Sequence, residues 1–500
     1  MNGTILGIVN GKVLYQNNNT KPNRNILVVG GSGSYKTQSV VMTNVFNETE
    51  NSIVVTDPKG EVFETTAKIK IAQGYQVHVI NFANMAHSDR YNPFDYIKKD
   101  INAETVANKI VESENKDSQK DVWFSTQRQL LKALILYVLN HRPPVDRNLS
   151  GVLNVLQEYD VDPKVKGEDS PLDKLFLSLD MNDTARRAYE LGFKKTKGEM
   201  KAGVIGSLLA TVGKFTDKEV SDFLSFSDFD LKDVGRKKVM LYVIIPVMDN
   251  TYESIINLFF SQLFDELYKL ASNHGSKLEK PVDFILDEFQ NLGKFPKYEE
   301  FLATCRGYGI GVTTILQDIV KLRSLYTKER ADSILGLHAV KICLSASEKE
   351  TADYFKELLD KATVKVETGS ESTSRSKETS TSVSDSYSYT GRFLMTRNEI
   401  MQMPDTQSLI FFNNKRPLKA KKAFQFQLFP NASSLATFNQ NDYHYVTEPS
   451  QKAKEQNKDT EWKEKQLQVE VKKQTYAVPT TEEEDNTLGR YQLHHRTAEY

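Results

Sequence analysis

Two short stretches hold residue types whose spacing could do phosphate chemistry. The first is Gly30, Gly31, Ser32, Gly33, Ser34, Tyr35, Lys36 and Thr37. It follows the apolar run Ile26, Leu27, Val28 and Val29 and precedes a helix-like run through Val40, Val41 and Met42. Strand, glycine turn, Lys-Thr and helix in that order is the context that gives a P-loop pattern physical content. Backbone N–H groups of such a loop, with the helix N-terminus, can wrap a phosphate chain. Lys36 would reach the β- and γ-phosphates of ATP, and the Thr37 hydroxyl would hold Mg²⁺. Gly30 and Lys36-Thr37 fit the pattern G-x-x-x-x-G-K-[ST], but Tyr35 stands where its second glycine belongs. Glycine there lets the backbone approach phosphate with no Cβ in the way. Tyr35 can serve if its ring points outward and its φ is ordinary; otherwise the loop is degenerate and binds nucleotide poorly.

The second stretch is VDFILDEFQN, residues 282–291. An apolar strand delivers Asp287 and Glu288 at its C-terminal end, where open α/β sheets bind ligands. Asp287 would hold Mg²⁺ through water, and Glu288 would polarise the water that attacks the γ-phosphate. Alone, the pair could equally open an exposed helix. Gln317, at the end of the next strand, could sense the γ-phosphate or merely cap the strand. Arg306 could stabilise transition-state charge across a subunit boundary or be an ordinary solvated arginine. Asp57 and Lys59 follow another strand; they are site candidates or simply a turn made at Asp57-Pro58.

The elements that must carry these residues alternate in type. Residues 1–24 read as a small β-rich lead-in, with a hairpin turning at Asn10-Gly11. Strands are expected at 26–29, 52–56 and 76–81, with a helix at 62–73 closed by Gly74. From about 103 to 223 the pattern turns helical, at 103–112, 124–139, 149–158 and 201–215. Strands resume at 238–245, 282–286, 311–316, 339–344 and 408–412, with helices at 252–271, 298–308 and 351–359. This predicts an α/β fold: a parallel-rich sheet flanked by helices and carrying the P-loop (25–100 and 236–447), with an inserted all-α domain (101–235). The Ser/Thr-rich run 369–390 has little to bury and is expected to be a mobile loop. Residues 448–500 read as a charged, largely disordered tail, with part of 451–471 helix-like.

Five hundred residues suggest two or three domains. A formal net charge of −1 gives no global basic field, so nucleic acid would have to meet local patches. Such patches are Arg186-Arg187, Lys194, Lys195 and Lys197, Lys415-Arg416, and Lys419, Lys421 and Lys422. Solvated charge is the commoner reading of such runs. The two cysteines, Cys305 and Cys343, are far apart and suit a reducing compartment. The eight histidines have no metal-ligand spacing. No run reaches the roughly eighteen apolar residues of a transmembrane helix, and the N-terminus lacks signal-peptide character. A soluble, intracellular protein is expected.

Taken together, these residues resemble the type IV secretion coupling proteins, the TraG/TraD-like conjugation ATPases. The likeness rests on residues 30–37, VVTDPKGE at 54–61, Tyr91-Asn92-Pro93-Phe94, LDEFQNLG at 286–293, Arg306-Gly307-Tyr308-Gly309 and Gln317. It extends to 394–422, with Glu399-Ile400 and Arg416-Pro417, and covers about residues 25–430. The resemblance implies a RecA-like P-loop NTPase domain with an inserted all-α domain, and homo-hexamers with ATP at subunit interfaces and DNA in a central channel. It implies single-stranded DNA, a relaxase and membrane-anchored secretion-channel proteins as partners, with the helical insert meeting the substrate complex. The family usually begins with a membrane-spanning helix pair, absent from this sequence. A cytoplasmic chain held at the inner face of the membrane by a partner protein is therefore expected. Two alternatives stay open: a substrate adaptor that does not hydrolyse ATP, and an FtsK/HerA-like general DNA pump.

Overall fold

The computed structural model describes residues 3–18, 23–114, 122–158, 170–196, 198–246, 251–295, 297–375, 379–434 and 437–443. The tail expected at 448–500, including the helix-like part at 451–471, lies outside the described residues. The strands in chain order are β1 (Gly3–Val9), β2 (Lys12–Asn17), β3 (Ile26–Val29), β4 (Ser52–Thr56), β5 (Gln76–Asn81), β6 (Val239–Ile244) and β7 (Val282–Leu286). Then follow β8 (Ile310–Leu316), β9 (Val340–Cys343), β10 (Lys361–Arg375), β11 (Thr379–Phe393), β12 (Gln407–Phe412) and β13 (Leu418–Lys421).

All but β10 and β11 join one sheet, in the order β2-β1-β13-β12-β9-β3-β8-β7-β4-β6-β5. From β9 to β5 every pairing is parallel. From β9 outward through β12, β13, β1 and β2 every pairing is antiparallel. The central strands ILVV, SIVVT and VMLYVI are buried at every position. That is what a sheet covered on both faces demands. Alternation sorts their side chains: Leu27 and Val29 enter one apolar cluster, Ile26 and Val28 the other.

The first face carries the helices between β5 and β6, among them Asp100–Glu114, Val122–His141, Leu149–Glu158 and Gly198–Gly213, and also Glu253–Asn273. Their apolar residues share one continuous cluster with the sheet. Pro171–Leu177, Thr184–Gly192 and Lys218–Phe223 are helices that periodicity did not mark, because each spans two turns or so. The second face carries Met42–Asn47 and Glu61–Ala72, crossed by aromatic residues of the C-terminal segment, Phe429, Phe438 and Tyr443.

Two expectations change. The hairpin of the lead-in turns at Asn10 (φ 50°) and Gly11 (φ 75°), as expected. It does not stand apart, however: β1 pairs with β13 and extends the main sheet. The Ser/Thr-rich run, expected as a loop at 369–390, lies in β10 and β11, paired from Lys361↔Phe393 to Arg375↔Thr379. Composition measures only what a segment can bury. It misses the β preference of Thr, Val and Tyr and a ladder that satisfies its own backbone. Among the described residues no helix is long and apolar enough to cross a membrane.

Candidate nucleotide-binding site

The site sits at the C-terminal edge of the parallel strands. The glycine loop leaves β3, Gln317 ends β8, Asp287 and Glu288 end β7, and Asp57 ends β4, so four neighbouring strands converge. The loop is tied down by its own backbone and by its neighbours. Gly30 N–H donates to the Leu316 carbonyl at 3.0 Å, Ser34 N–H to the Gly31 carbonyl at 3.2 Å, and Gly31 N–H to Ser345 Oγ at 3.0 Å. A Cβ at Gly30 would lie 2.4 Å from Ser34 Oγ and 3.1 Å from Leu344 Cβ, so any larger residue would push the Ser34 side chain from its place. The helix after the loop starts with a wide π-type turn, Thr37–Val41.

Lys36 is buried, and its ammonium donates to the carbonyls of Gly30 at 3.0 Å and Gly31 at 3.3 Å. It also lies 3.1 Å from Glu288 Oε1. The Thr37 hydroxyl donates to Asp287 Oδ2 at 3.3 Å. Asp287 is buried and its pKa is raised to about 7, first by desolvation and then by the Glu288 charge, with Lys36 opposing. Its carbonyl accepts from Thr56 Oγ1 at 2.7 Å, which locks β7 to β4 at the site. Glu288 holds a left-handed backbone (φ 47°, ψ 51°). Backbone strain in a non-glycine residue concentrates at functional positions. Gln290 Nε2 donates to its other carboxylate oxygen.

Tyr35 meets one of its two conditions. Its ring does point outward, 47% exposed, and packs edge-on against Phe424. Its φ is 64°, the left-handed region glycine normally fills. The tyrosine therefore copies the glycine's backbone instead of avoiding it.

Gln317 lies beside the loop: Leu316 pairs with Val29, and the Gln317 side chain accepts from Lys321 Nζ. Arg306 is not brought to these residues. It is exposed on the short helix Cys305–Tyr308, which precedes β8 and so lies at the opposite sheet edge. Asp57 is buried, with its pKa pushed up to about 6 mainly by desolvation, and accepts from Phe63 N–H at 2.8 Å. Lys59 is exposed.

The basic patches divide. Arg186 is spent on Glu190 and on the carbonyls of Leu177 and Leu179. Lys415, Arg416, Lys419 and Lys421 are exposed. Lys422 is 2% exposed and donates to the Ser34 carbonyl at 2.9 Å, so it belongs to the loop and not to a surface patch. Strand alternation carries the signal for the burial, though not for the partner: Lys419 and Lys421 face outward and Ala420 inward, so the next inward position is 422.

The residues present fit a magnesium nucleotide. Two buried oxygens, Ser34 Oγ and Asp57 Oδ1, have no hydrogen-bond partner among the described residues. A lysine held by main-chain carbonyls and a glutamate has partners that phosphate oxygens could replace. Thr37 Oγ1 and the Asp287 carboxylate are the hard oxygen donors Mg²⁺ prefers.

A glycine loop ending one parallel strand and an acidic pair ending the next strand but one define a P-loop NTPase fold. The chain belongs to the family described as type IV secretory system conjugative DNA transfer, matching it over residues 3–477. VirD4 of Rhizobium radiobacter is 22% identical over 424 residues, 82% of this chain and 57% of that protein. The chain thus spans a little over half of that relative's length. The bacterial conjugative coupling protein TrwBdeltaN70, unbound, has a TM-score of 0.58 at 15% identity, over 84% of this chain and 88% of that one. TrwB in complex with ADP and Mg²⁺ has a TM-score of 0.53 at 14% identity, over 80% and 86% of the two chains. At such identities the likeness is one of fold.

Proposed function

We propose that this chain is an ATP-hydrolysing coupling protein that recruits a relaxase–single-stranded DNA complex and delivers it to a type IV secretion channel during conjugation. The observation that carries the reading is the facing of Lys36 and Thr37 on one strand end by Glu288 and Asp287 on another, at 3.1 and 3.3 Å. The complex of the related TrwB with ADP and Mg²⁺ supports it.

In this reading Lys36 exchanges Glu288 and the Gly30 and Gly31 carbonyls for the β- and γ-phosphates. The N–H groups of residues 31–37 line the phosphate chain. Thr37 directly and Asp287 through water would hold Mg²⁺, which would supply neutralising positive charge for phosphoryl transfer. Glu288, released from Lys36, orients the attacking water and accepts its proton. Gln317, joined to the loop through the β3–β8 ladder, carries the state of the γ-phosphate into the sheet. Arg306 acts on the nucleotide of a neighbouring subunit in a homo-hexamer, a role suited to the far sheet edge.

The helices of 101–235 serve as the insert that meets the substrate complex, and 25–100 with 236–447 as the nucleotide-binding domain. A membrane-anchored channel protein holds the assembly at the inner face of the membrane. DNA-stimulated ATPase activity of the native chain, Lys36→Ala and Glu288→Gln is the test. Both variants are expected to fall to background; equal activity in all three removes the assigned site.

A second reading, a substrate adaptor without hydrolysis, is motivated by Tyr35, which sets a Cβ where the loop pattern has glycine. It predicts relaxase or DNA binding indifferent to nucleotide and to Lys36→Ala, and a large gain in ATP affinity in Tyr35→Gly. A general DNA pump would instead lack preference for single strands and for relaxase.

A further inference from the structure

We propose that Tyr35, Phe424 and Phe426 form a stacking platform for a purine base, with the paired amides of Gln38 and Gln425 at its edge. The proposal rests on the reading above, that the glycine loop holds the phosphates of a nucleotide, and it assigns the base end of that ligand.

The Tyr35 ring is half exposed directly beside the loop. It meets Phe424 edge-on, with centroids 5.5 Å apart and ring planes at 86°. Phe424 is buried and stacks on Phe426, with centroids 5.1 Å apart and planes at 16°. Phe426 is again half exposed, at 48%. Two half-exposed rings thus share contact with one buried ring. A flat heteroaromatic ring could stack against the exposed part of either.

The platform is rigidly tied to the phosphate site. Tyr35 adjoins Lys36 in the chain, which fixes the ring's backbone to the phosphate loop. The other half is held by the Lys422 bond to the Ser34 carbonyl and by Thr43 Oγ1 donating to the Ala423 carbonyl at 2.7 Å. Gln425, between the two phenylalanines, donates through Nε2 to Gln38 Oε1 at 3.1 Å. Gln38 follows Thr37. An amide pair offers donors and acceptors together and can re-pair with the polar edge of a base. A purine presents the larger face, so stacking favours ATP or GTP over CTP.

Titration calorimetry on the full chain with Mg·ATP, Mg·CTP and Mg·tripolyphosphate, which has no base, tests this. Phe426→Ala is expected to weaken Mg·ATP roughly tenfold, within the range for loss of one base–aromatic stack. It is expected to leave Mg·tripolyphosphate within about twofold and to narrow the ATP–CTP difference, while Phe426→Trp restores wild-type affinity for Mg·ATP. Equal losses for ATP and tripolyphosphate, or no loss for ATP, overturn the platform. Lys36→Ala separates the two readings. If it abolishes tripolyphosphate binding while Phe426→Ala leaves ATP untouched, the phosphate site stands and the platform falls. If Lys36→Ala changes neither probe, or the wild-type chain binds neither, both fall.

Discussion

The Lys36 ammonium lies 3.1 Å from Oε1 of Glu288, so the residue read as phosphate ligand and the residue read as water activator are partners before any nucleotide arrives. Two carbonyls and this carboxylate occupy all three donors of the ammonium, so Lys36 cannot serve phosphate without giving up at least one of them. Glu288→Gln removes the charge that competes for the lysine. It also removes repulsion between a carboxylate and the incoming phosphates. Nucleotide should bind about fivefold tighter, corresponding to roughly 1 kcal/mol for one partly buried ion pair. Turnover should fall by about 10²- to 10⁴-fold with the general base gone. Fluorescent-nucleotide titration beside a phosphate-release assay reads both. Weaker binding in this variant would mean the pair holds the loop in shape instead of holding the lysine back.

Lys422 governs the loop from the far end of the chain. Burial depresses its pKa, with Asp405 opposing, yet the side chain still reaches the Ser34 carbonyl. Lys422→Met keeps the length and apolar stem and removes the donor. The change in stability should be small, because a buried charge disappears along with its bond. The loop loses its rear support, and nucleotide affinity should drop about tenfold, near the 1.5 kcal/mol of a charged hydrogen bond. Unchanged affinity with a lowered melting temperature would make Lys422 purely a fold residue.

That Lys36 and Thr37 would meet Asp287 and Glu288 was legible because the glycine loop and the acidic pair each follow an apolar strand, and strand ends in a parallel sheet share one edge. Lys422, Phe424 and Phe426 were not, since nothing local says that residues nearly four hundred positions on return to the loop. The order of the strands was equally hidden. That β8 lies between β3 and β7, and that β1 continues the sheet through β13, is set by long-range pairing. Tyr35 was legible as a departure from the pattern, but its φ of 64° was not, because side-chain identity argued against it.

The β10–β11 hairpin is a separate two-stranded sheet. Tyr387 and Tyr389 on it are 58% and 74% exposed, so there is little burial to lose. Deleting 365–389 and joining Val364 to Thr390, which are already paired, through Asn-Gly gives a tight turn of the favoured type. The melting temperature should stay within about 2 °C of the parent, the scale of a sub-kcal/mol change in a large domain. A fall of more than about 5 °C would place the hairpin among the elements that hold the fold.

His338 is fully buried just before β9, against Thr314 of β8, where burial favours the neutral ring. Tyr298 OH, Thr314 Oγ1 and His338 Nε2 are linked at 2.6 and 2.8 Å, and Nδ1 lies 2.8 Å from the Ile334 carbonyl. That carbonyl can only accept, so Nδ1 carries the proton and Nε2 accepts from Thr314. Burial lowers the histidine pKa from 6.5 to about 3, and nearby Lys341 adds to the effect. The unfolded chain therefore binds the proton that the folded chain refuses. Stability from this group is complete above about pH 6.5 and is lost as pH falls toward 3. Between pH 7 and pH 4.5 the loss is roughly 3 kcal/mol, at about 1.4 kcal/mol per pH unit over two units. His338→Gln keeps one donor and one acceptor but does not titrate. Urea unfolding at the two pH values should find the variant less stable at pH 7 and losing roughly 3 kcal/mol less than the parent on acidification. Equal losses would mean that the ring is protonated in the folded state and that the carboxylates alone set the acid limit.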